Sequence, residues 1–174
     1  IIKRLKPSWR NELEITDALD MLLNEKHVIT YKMITDYWKD TGTPEDIINA
    51  NKTILENIIP EFKGEKEPTV SIEGKVSIGN ETCIGDHVKI KGPVIIGSKC
   101  KISGNTIIGP NTSIGNECII SGGIIRDSII MNNCEIEKNV NLRNSIISSN
   151  SSIKQNKIEN EQILLLGEGT RILL

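Results

Sequence analysis

Large aromatic rings are scarce in this chain of 174 residues, and the few it has sit at one end. Trp9, Tyr31, Tyr37, Trp38 and Phe62 all precede residue 63, and the remaining two-thirds has no ring at all. A globular interior normally uses rings as filler, so the interior beyond residue 63 is expected to be too narrow for them. An excess of charge is also missing: 21 Lys and Arg stand against 23 Asp and Glu, a formal net charge of -2. That balance removes the electrostatic case for a nucleic-acid partner or an anionic membrane. No apolar run approaches the roughly 20 residues of a membrane helix, so the chain reads as soluble. Its first residues, Ile1-Ile2-Lys3-Arg4-Leu5-Lys6, have neither an initiator Met nor signal-peptide architecture and read as cut from something longer.

Isoleucine, by contrast, occurs 33 times, and its placement is regular. From Ile72 it recurs at every sixth position through Ile78, Ile84, Ile90, Ile96, Ile102, Ile108, Ile114 and Ile120. Four residues after each of the first eight stands a small or β-branched residue: Val76, Thr82, Val88, Val94, Cys100, Thr106, Thr112 and Cys118. Gly follows the Ile directly at Gly79, Gly85, Gly97, Gly109 and Gly115. A period of six fits neither a helix nor one extended strand. It fits a short strand and a turn, with the Ile and the small residue pointing inward and the Gly supplying freedom at the bend. Three such sides close a triangular coil of 18 residues, and successive coils stack about 4.8 Å apart by parallel pairing. Ile72 is then expected on Ile90, with Ile108 next in line.

The frame slips at Ser121-Gly122-Gly123 and resumes as Ile124, Ile130, Ile136 and Leu142, with Ser128, Cys134 and Val140 as inward small partners. A further step of five leads to Ile147 and Ile153. The expected domain plan is the C-terminal portion of another domain over 1–62, a Gly/Pro-containing linker over 63–68 and a parallel β-helix of roughly five coils over 69–158. A terminal hairpin over 159–174 would cover the exposed end.

Cys100, Cys118 and Cys134 fall on the inward small position, which packing explains. Cys83 lies outside it and reads as a plain reduced thiol. With no CxxC spacing, the set suggests a cytoplasmic compartment. Only His27 and His87 are present, too few for a three-His zinc site. His87 is the one base available for acyl transfer between coils, but it is expected to face solvent at a corner. In the N-terminal segment, residues 12–26 suit an amphipathic helix with Ile15, Ala18, Leu19, Leu22 and Leu23 on one face. Residues 27–38 read as a strand. Thr43-Pro44-Glu45-Asp46 is a strong helix start, carrying a helix through Ile47, Ile48, Ile54 and Leu55 to about Ile58.

Three stretches, Pro7-Ser8-Trp9-Arg10-Asn11-Glu12-Leu13-Glu14-Ile15-Thr16-Asp17, Trp38-Lys39-Asp40-Thr41-Gly42-Thr43-Pro44-Glu45-Asp46 and Asn49-Ala50-Asn51, resemble the sugar-1-phosphate nucleotidylyltransferases. The match is to the long-form glucose-1-phosphate thymidylyltransferases, and the runs Ile125–Ile130, Leu142–Ile147 and Leu164–Gly167 are similar to the solenoid of that form. The resemblance implies a mainly β fold: a left-handed parallel β-helix of hexapeptide repeats preceded by a small α/β remnant of a Rossmann-like nucleotidyltransferase domain.

The resemblance also implies that Asp40 is a ligand of a catalytic Mg²⁺ and that Thr16 and Trp38 line a hexose pocket. The residue-level alternatives are a turn cap for Asp40, core filler for Trp38 and an ordinary helix position for Thr16. Two departures stand out. Asn11 replaces the usual Gly, and the Gly-rich nucleotide loop, the first metal Asp and the EKP motif are absent, so this chain alone is expected not to catalyse. The implied parent converts dTTP and glucose 1-phosphate to dTDP-glucose and pyrophosphate, with the β-helix serving homo-oligomerisation or regulation. The rival readings are a bifunctional enzyme with hexapeptide acyltransferase activity and a non-catalytic assembly module.

Overall fold

The computed structural model describes residues 1–35, 38–137, 140–154 and 161–173. The chain divides into two compact units, 1–38 and 39–174. In the first, helix α1 (Ile15–Asn24) buries Ala18, while Ile15, Leu19 and Leu23 stay exposed. Asn11, where the resemblance leads to an expected Gly, has a φ of 59°. Asn is among the few side chains that tolerate this left-handed region. Beyond α1 the expected strand over 27–38 does not form among the described residues. Its β-branched and aromatic side chains suit a sheet, but no strand of this unit lies beside them to complete a ladder, and Val28 and Tyr31 are about nine-tenths exposed.

The second unit is the solenoid together with one helix. Parallel strands build three faces. The first face runs from Glu61–Phe62 through Val76–Ile78, Val94–Ile96, Thr112–Ile114, Ile129–Ile130 and Ile146–Ile147 to Leu165–Leu166. The second runs from Glu65–Lys66 through Cys83–Ile84, Lys101–Ile102, Ile119–Ile120, Glu135–Ile136 and Ser152–Lys154 to Arg171–Leu173. Among the described residues the third holds five strands, from Ser71–Glu73 to Asn141–Arg143. The result is a β-solenoid of about six turns.

Both ends exceed the expected bounds. The presumed linker contains Glu65–Lys66, which pairs with Cys83–Ile84. The presumed terminal hairpin is not one: Leu165–Leu166 pairs with Ile146–Ile147, and Arg171–Leu173 with Ser152–Lys154, both in parallel. Parallel continuation satisfies the backbone groups of the preceding coil and sets Leu166 and Ile172 on Ile147 and Ile153. A hairpin would leave those groups unpaired.

Each inward Ile stacks on the Ile of the next coil, as Ile72 does on Ile90 and Ile90 on Ile108. The inward small residues from Val76 to Cys118 are all buried beside them. At the first slip the inward residue is Ile125, not Ile124: Ile125 pairs with Ile108 and Leu142 and is fully buried. Gly122 and Gly123, at φ 141° and 103°, turn a corner one residue shorter than its neighbours, five residues from Ile120 to Ile125 where Ile102 to Ile108 takes six, and this decides which of the two isoleucines points in.

Of the Gly residues that follow an Ile, Gly109 supplies backbone freedom as expected, at φ 92°, but the others have a different role. Beside them the left-handed corner residue is non-Gly and lies two positions further on, as at Glu81, Lys99 and Glu117. Gly97 and Gly115 are required instead by close approach. A Cβ there would collide with the Asn116 and Asn132 side-chain oxygens of the following coil. Those oxygens accept hydrogen bonds from the Ser98 and Asn116 backbone N–H groups, each at 2.8 Å.

Helix α2 (Pro44–Glu56) begins as expected, with Thr43 Oγ1 accepting from the Asp46 backbone N–H at 3.2 Å. It buries Ile48 and Leu55 and leaves Ile54 exposed. It belongs to the solenoid's unit, not to a separate one ending at residue 62. Among the described residues no helix is long and apolar enough to cross a membrane.

The register at the slip is directly testable. Ile125→Ala is expected to cost roughly 2–5 kcal/mol, and Ile124→Ala less than half of that, in chemical denaturation of the full chain. Equal losses would mean that the two isoleucines are not divided between core and surface.

Candidate functional site

The residues singled out by sequence fall in both units. Thr16 is the second residue of α1, on its exposed side, and Trp38 closes the first unit at 71% exposure, so it is not core filler there. In the same unit, Arg10 donates to both oxygens of Glu14 at 2.8 and 2.9 Å, and Ser8 donates to it at 2.8 Å. These contacts hold the Glu14 carboxyl below its ordinary range, Arg10 contributing most.

Asp40 is the second residue of the second unit, exposed, just ahead of α2. The backbone after it is fixed by the α2 cap. Thr43 Oγ1 donates to Asp46 at 2.8 Å, and Lys39 Nζ lies 2.9 Å from the other Asp46 oxygen. Lys39 and then Thr43 keep the Asp46 carboxyl ionised below its usual range. Asp40 is therefore a solvent-facing carboxylate leading into a pinned helix start. Its oxygen is a hard donor of the kind Mg²⁺ takes, but one carboxylate does not make a metal site. Among the described residues no group of three His, Cys, Asp or Glu is placed to hold an ion.

A second cluster, which sequence reasoning did not assemble, seats α2 on the solenoid. Asn51 donates to the Asn111 carbonyl at 3.3 Å and accepts from Ser113 at 2.6 Å. Lys52 Nζ lies 3.1 Å from Asp127, which also accepts from Asn111 at 2.9 Å and faces Arg143 at 3.6 Å. Burial pushes the Asp127 carboxyl up, but the Asn111 hydrogen bond with Lys52 and Arg143 outweighs it, and the group titrates below its ordinary value. Asn111, Asp127 and Asn144 all occupy left-handed corners, which Asn and Asp tolerate. The signal was present in Asn49-Ala50-Asn51 and in Arg126-Asp127-Ser128, but only the folded register joins these segments. Next to the cluster, Pro44, Ile48, Lys52, Asn144, Ile163 and Leu165 line a cleft of about 330 Å³.

His87 lies, as expected, exposed at a corner with φ 61°, its backbone N–H donating to Thr69 at 2.9 Å. Cys83 is exposed, whereas Cys100, Cys118 and Cys134 are buried in the inward column.

Residues 1–57 match the family model described as nucleotidyl transferase, and residues 90–172 match that of the GMPPB C-terminal domain. The chain thus resembles the C-terminal part of the sugar nucleotidyltransferases that carry a solenoid. It is 40% identical over 77 residues to the low-salt glycan biosynthesis nucleotidyltransferase Agl11 of Haloferax volcanii, an alignment covering 44% of this chain and 22% of that protein. It is 37% identical over 78 residues to a glucose-1-phosphate thymidylyltransferase of Streptomyces antibioticus, covering 45% and 22%. To the bifunctional protein GlmU of Methanococcus aeolicus it is 42% identical over 82 residues, covering 47% and 20%. The matched part spans about a fifth of the length of these relatives.

The α2 seat gives a prediction with a pH signature. The folded pKa of Asp127 is depressed, so its contribution is present above the unfolded carboxyl pKa and is lost as pH falls through the folded one. Asp127→Asn is expected to cost about 1 kcal/mol at pH 7. In denaturation curves the gap to the parent should close as pH drops below about 3.9.

Proposed function

We propose that this chain is the C-terminal part of a glucose-1-phosphate thymidylyltransferase. The reading is supported chiefly by the joint occurrence of Glu12-Leu13-Glu14-Ile15-Thr16-Asp17 and Trp38-Lys39-Asp40-Thr41-Gly42 within the nucleotidyl transferase match. In the reaction a phosphate oxygen of glucose 1-phosphate attacks the α-phosphorus of dTTP. The new P–O bond forms dTDP-glucose as the α–β bond breaks, and pyrophosphate departs with the electron pair.

Two anions must meet in that step. A bound Mg²⁺ would supply the neutralising charge. Asp40 provides one oxygen ligand from this chain, and the remaining ligands come from the rest of the catalytic domain. Trp38 offers a ring face to the hexose, and Thr16 a hydroxyl at its edge. The flat faces of the solenoid serve assembly into a homo-oligomer.

Asp40→Asn in the complete parent protein is expected to lower kcat for pyrophosphate release at least 100-fold, a loss of about 2.7 kcal/mol of transition-state stabilisation. The melting temperature should be unchanged, because Asp40 is exposed. A variant that transfers thymidylyl groups at the normal rate would remove Asp40 from the site.

A further inference from the structure

The second face of the solenoid carries one outward column in continuous register: Glu65, Cys83, Lys101, Ile119, Glu135, Ser152 and Arg171. Six of the seven are exposed and Ser152 is half-buried. Ile119 stands at the centre with 44% of its surface open to solvent. Among the described residues Glu65, Lys101, Glu135 and Arg171 form no ion pair within the chain. By contrast, Lys154 and Glu137, two residues further along their strands, are already paired at 2.5 Å.

The order of the column is self-complementary. Turned end for end about Ile119, it sets Glu65 against Arg171, Cys83 against Ser152, Lys101 against Glu135 and Ile119 against itself. Every charge meets its opposite, the small residues meet each other, and the apolar residue meets its own copy. Gly85, Ser103 and Ser121 flank the column and raise no bulk beside Lys101 and Ile119. Side-by-side packing with the coils running the same way gives the opposite result: Lys101 faces Lys101, and Glu135 faces Glu135. Like charges directly opposed are unfavourable.

We infer that the second face is an isologous interface on which a second copy of this chain docks antiparallel, with the two-fold axis passing beside Ile119. An isologous contact requires each patch to complement itself, and the charge order of this column meets that requirement. Six coil spacings make the strip about 29 Å long. It buries on the order of 300–400 Å² per partner, below the roughly 800 Å² of a standard interface. The dimer is accordingly weak and forms at high protein concentration. The inference rests on the assembly role proposed above for the solenoid and is independent of thymidylyl transfer.

Sedimentation equilibrium on the full chain at low salt tests it. The parent is expected to dimerise with a dissociation constant between about 10 μM and 1 mM. Lys101→Glu, which breaks two symmetry-related pairs, should weaken the dimer at least about 10-fold. Lys101→Glu combined with Glu135→Lys should restore it to within about 3-fold, because the exchanged charges face each other again. Lys101 and Glu135 are both exposed, and circular dichroism checks that the variants fold. Separately, Ser152→Cys should give a covalent dimer through the partner's Cys83 under mild diamide oxidation, and none once Cys83→Ser is added. An oligomer indifferent to Lys101→Glu, or a double variant as weak as the single, would overturn this face and leave the assembly role intact. A monomer at about 1 mM overturns both.

Discussion

The larger unit depends on one constraint, that each coil sits on the next in parallel register without drift. The ladder brings like positions together about 4.8 Å apart. One Ile column on each face then packs only if the inward position recurs at the same height in every coil. A slip by one residue would turn that column toward water and bring the outward polar row inside. Ile78, Ile96, Ile114, Ile130 and Ile147 stay aligned across the first face although the chain between them varies in length. The corners absorb the variation, as Gly122 and Gly123 do before Ile125.

The narrow interior also settles what the cysteines are for. Thr82, Cys100, Cys118, Cys134 and Ser151 form one buried column, and each donates its side-chain proton to a carbonyl of the coil above. The acceptors are Gly97, Gly115, Met131, Ser148 and Gly167 in turn. A buried donor that finds such an acceptor costs little, whereas an unmatched one is expensive. Thr, Cys and Ser are the residues small enough for the column that still carry a donor. The neighbouring Cys100 and Cys134 thiols, with burial, push Cys118 up and keep it protonated. The cysteines therefore behave as hydrogen-bonding members of the packing.

The solenoid was legible because its period is written in one residue type, and the Ile columns required no knowledge of tertiary contacts. The start of α2 was equally plain, since Thr43, Pro44 and Asp46 act within one turn. What failed was long-range. Nothing local distinguishes Ile124 from Ile125, and only pairing with Ile108 and Leu142 decides between them. Leu164–Leu166 and Arg171–Leu173 look like two strands about a Gly turn, but their partners lie one coil back. Residues 27–35 have strand composition and no ladder to join. The seat of α2 was hidden for the same reason: Lys52 and Asp127 are far apart in the chain and meet through the fold. The site residues are a separate matter. Asp40, Thr16 and Trp38 come from resemblance, and the structure adds their exposure and the pinned cap behind Asp40.

That cap and that seat lie on one helix. The nucleotidyl transferase match ends at residue 57, so α2 lies within that match even though it packs in the solenoid's unit. Its N-terminal end follows Asp40 directly, and its middle is clamped by Asn51 and Lys52 onto Asn111, Ser113 and Asp127. Lys75 Nζ holds the Glu56 carbonyl at the far end at 2.6 Å. A helix fixed along its length transmits position rather than absorbing it. The coils thus set where the α2 cap stands.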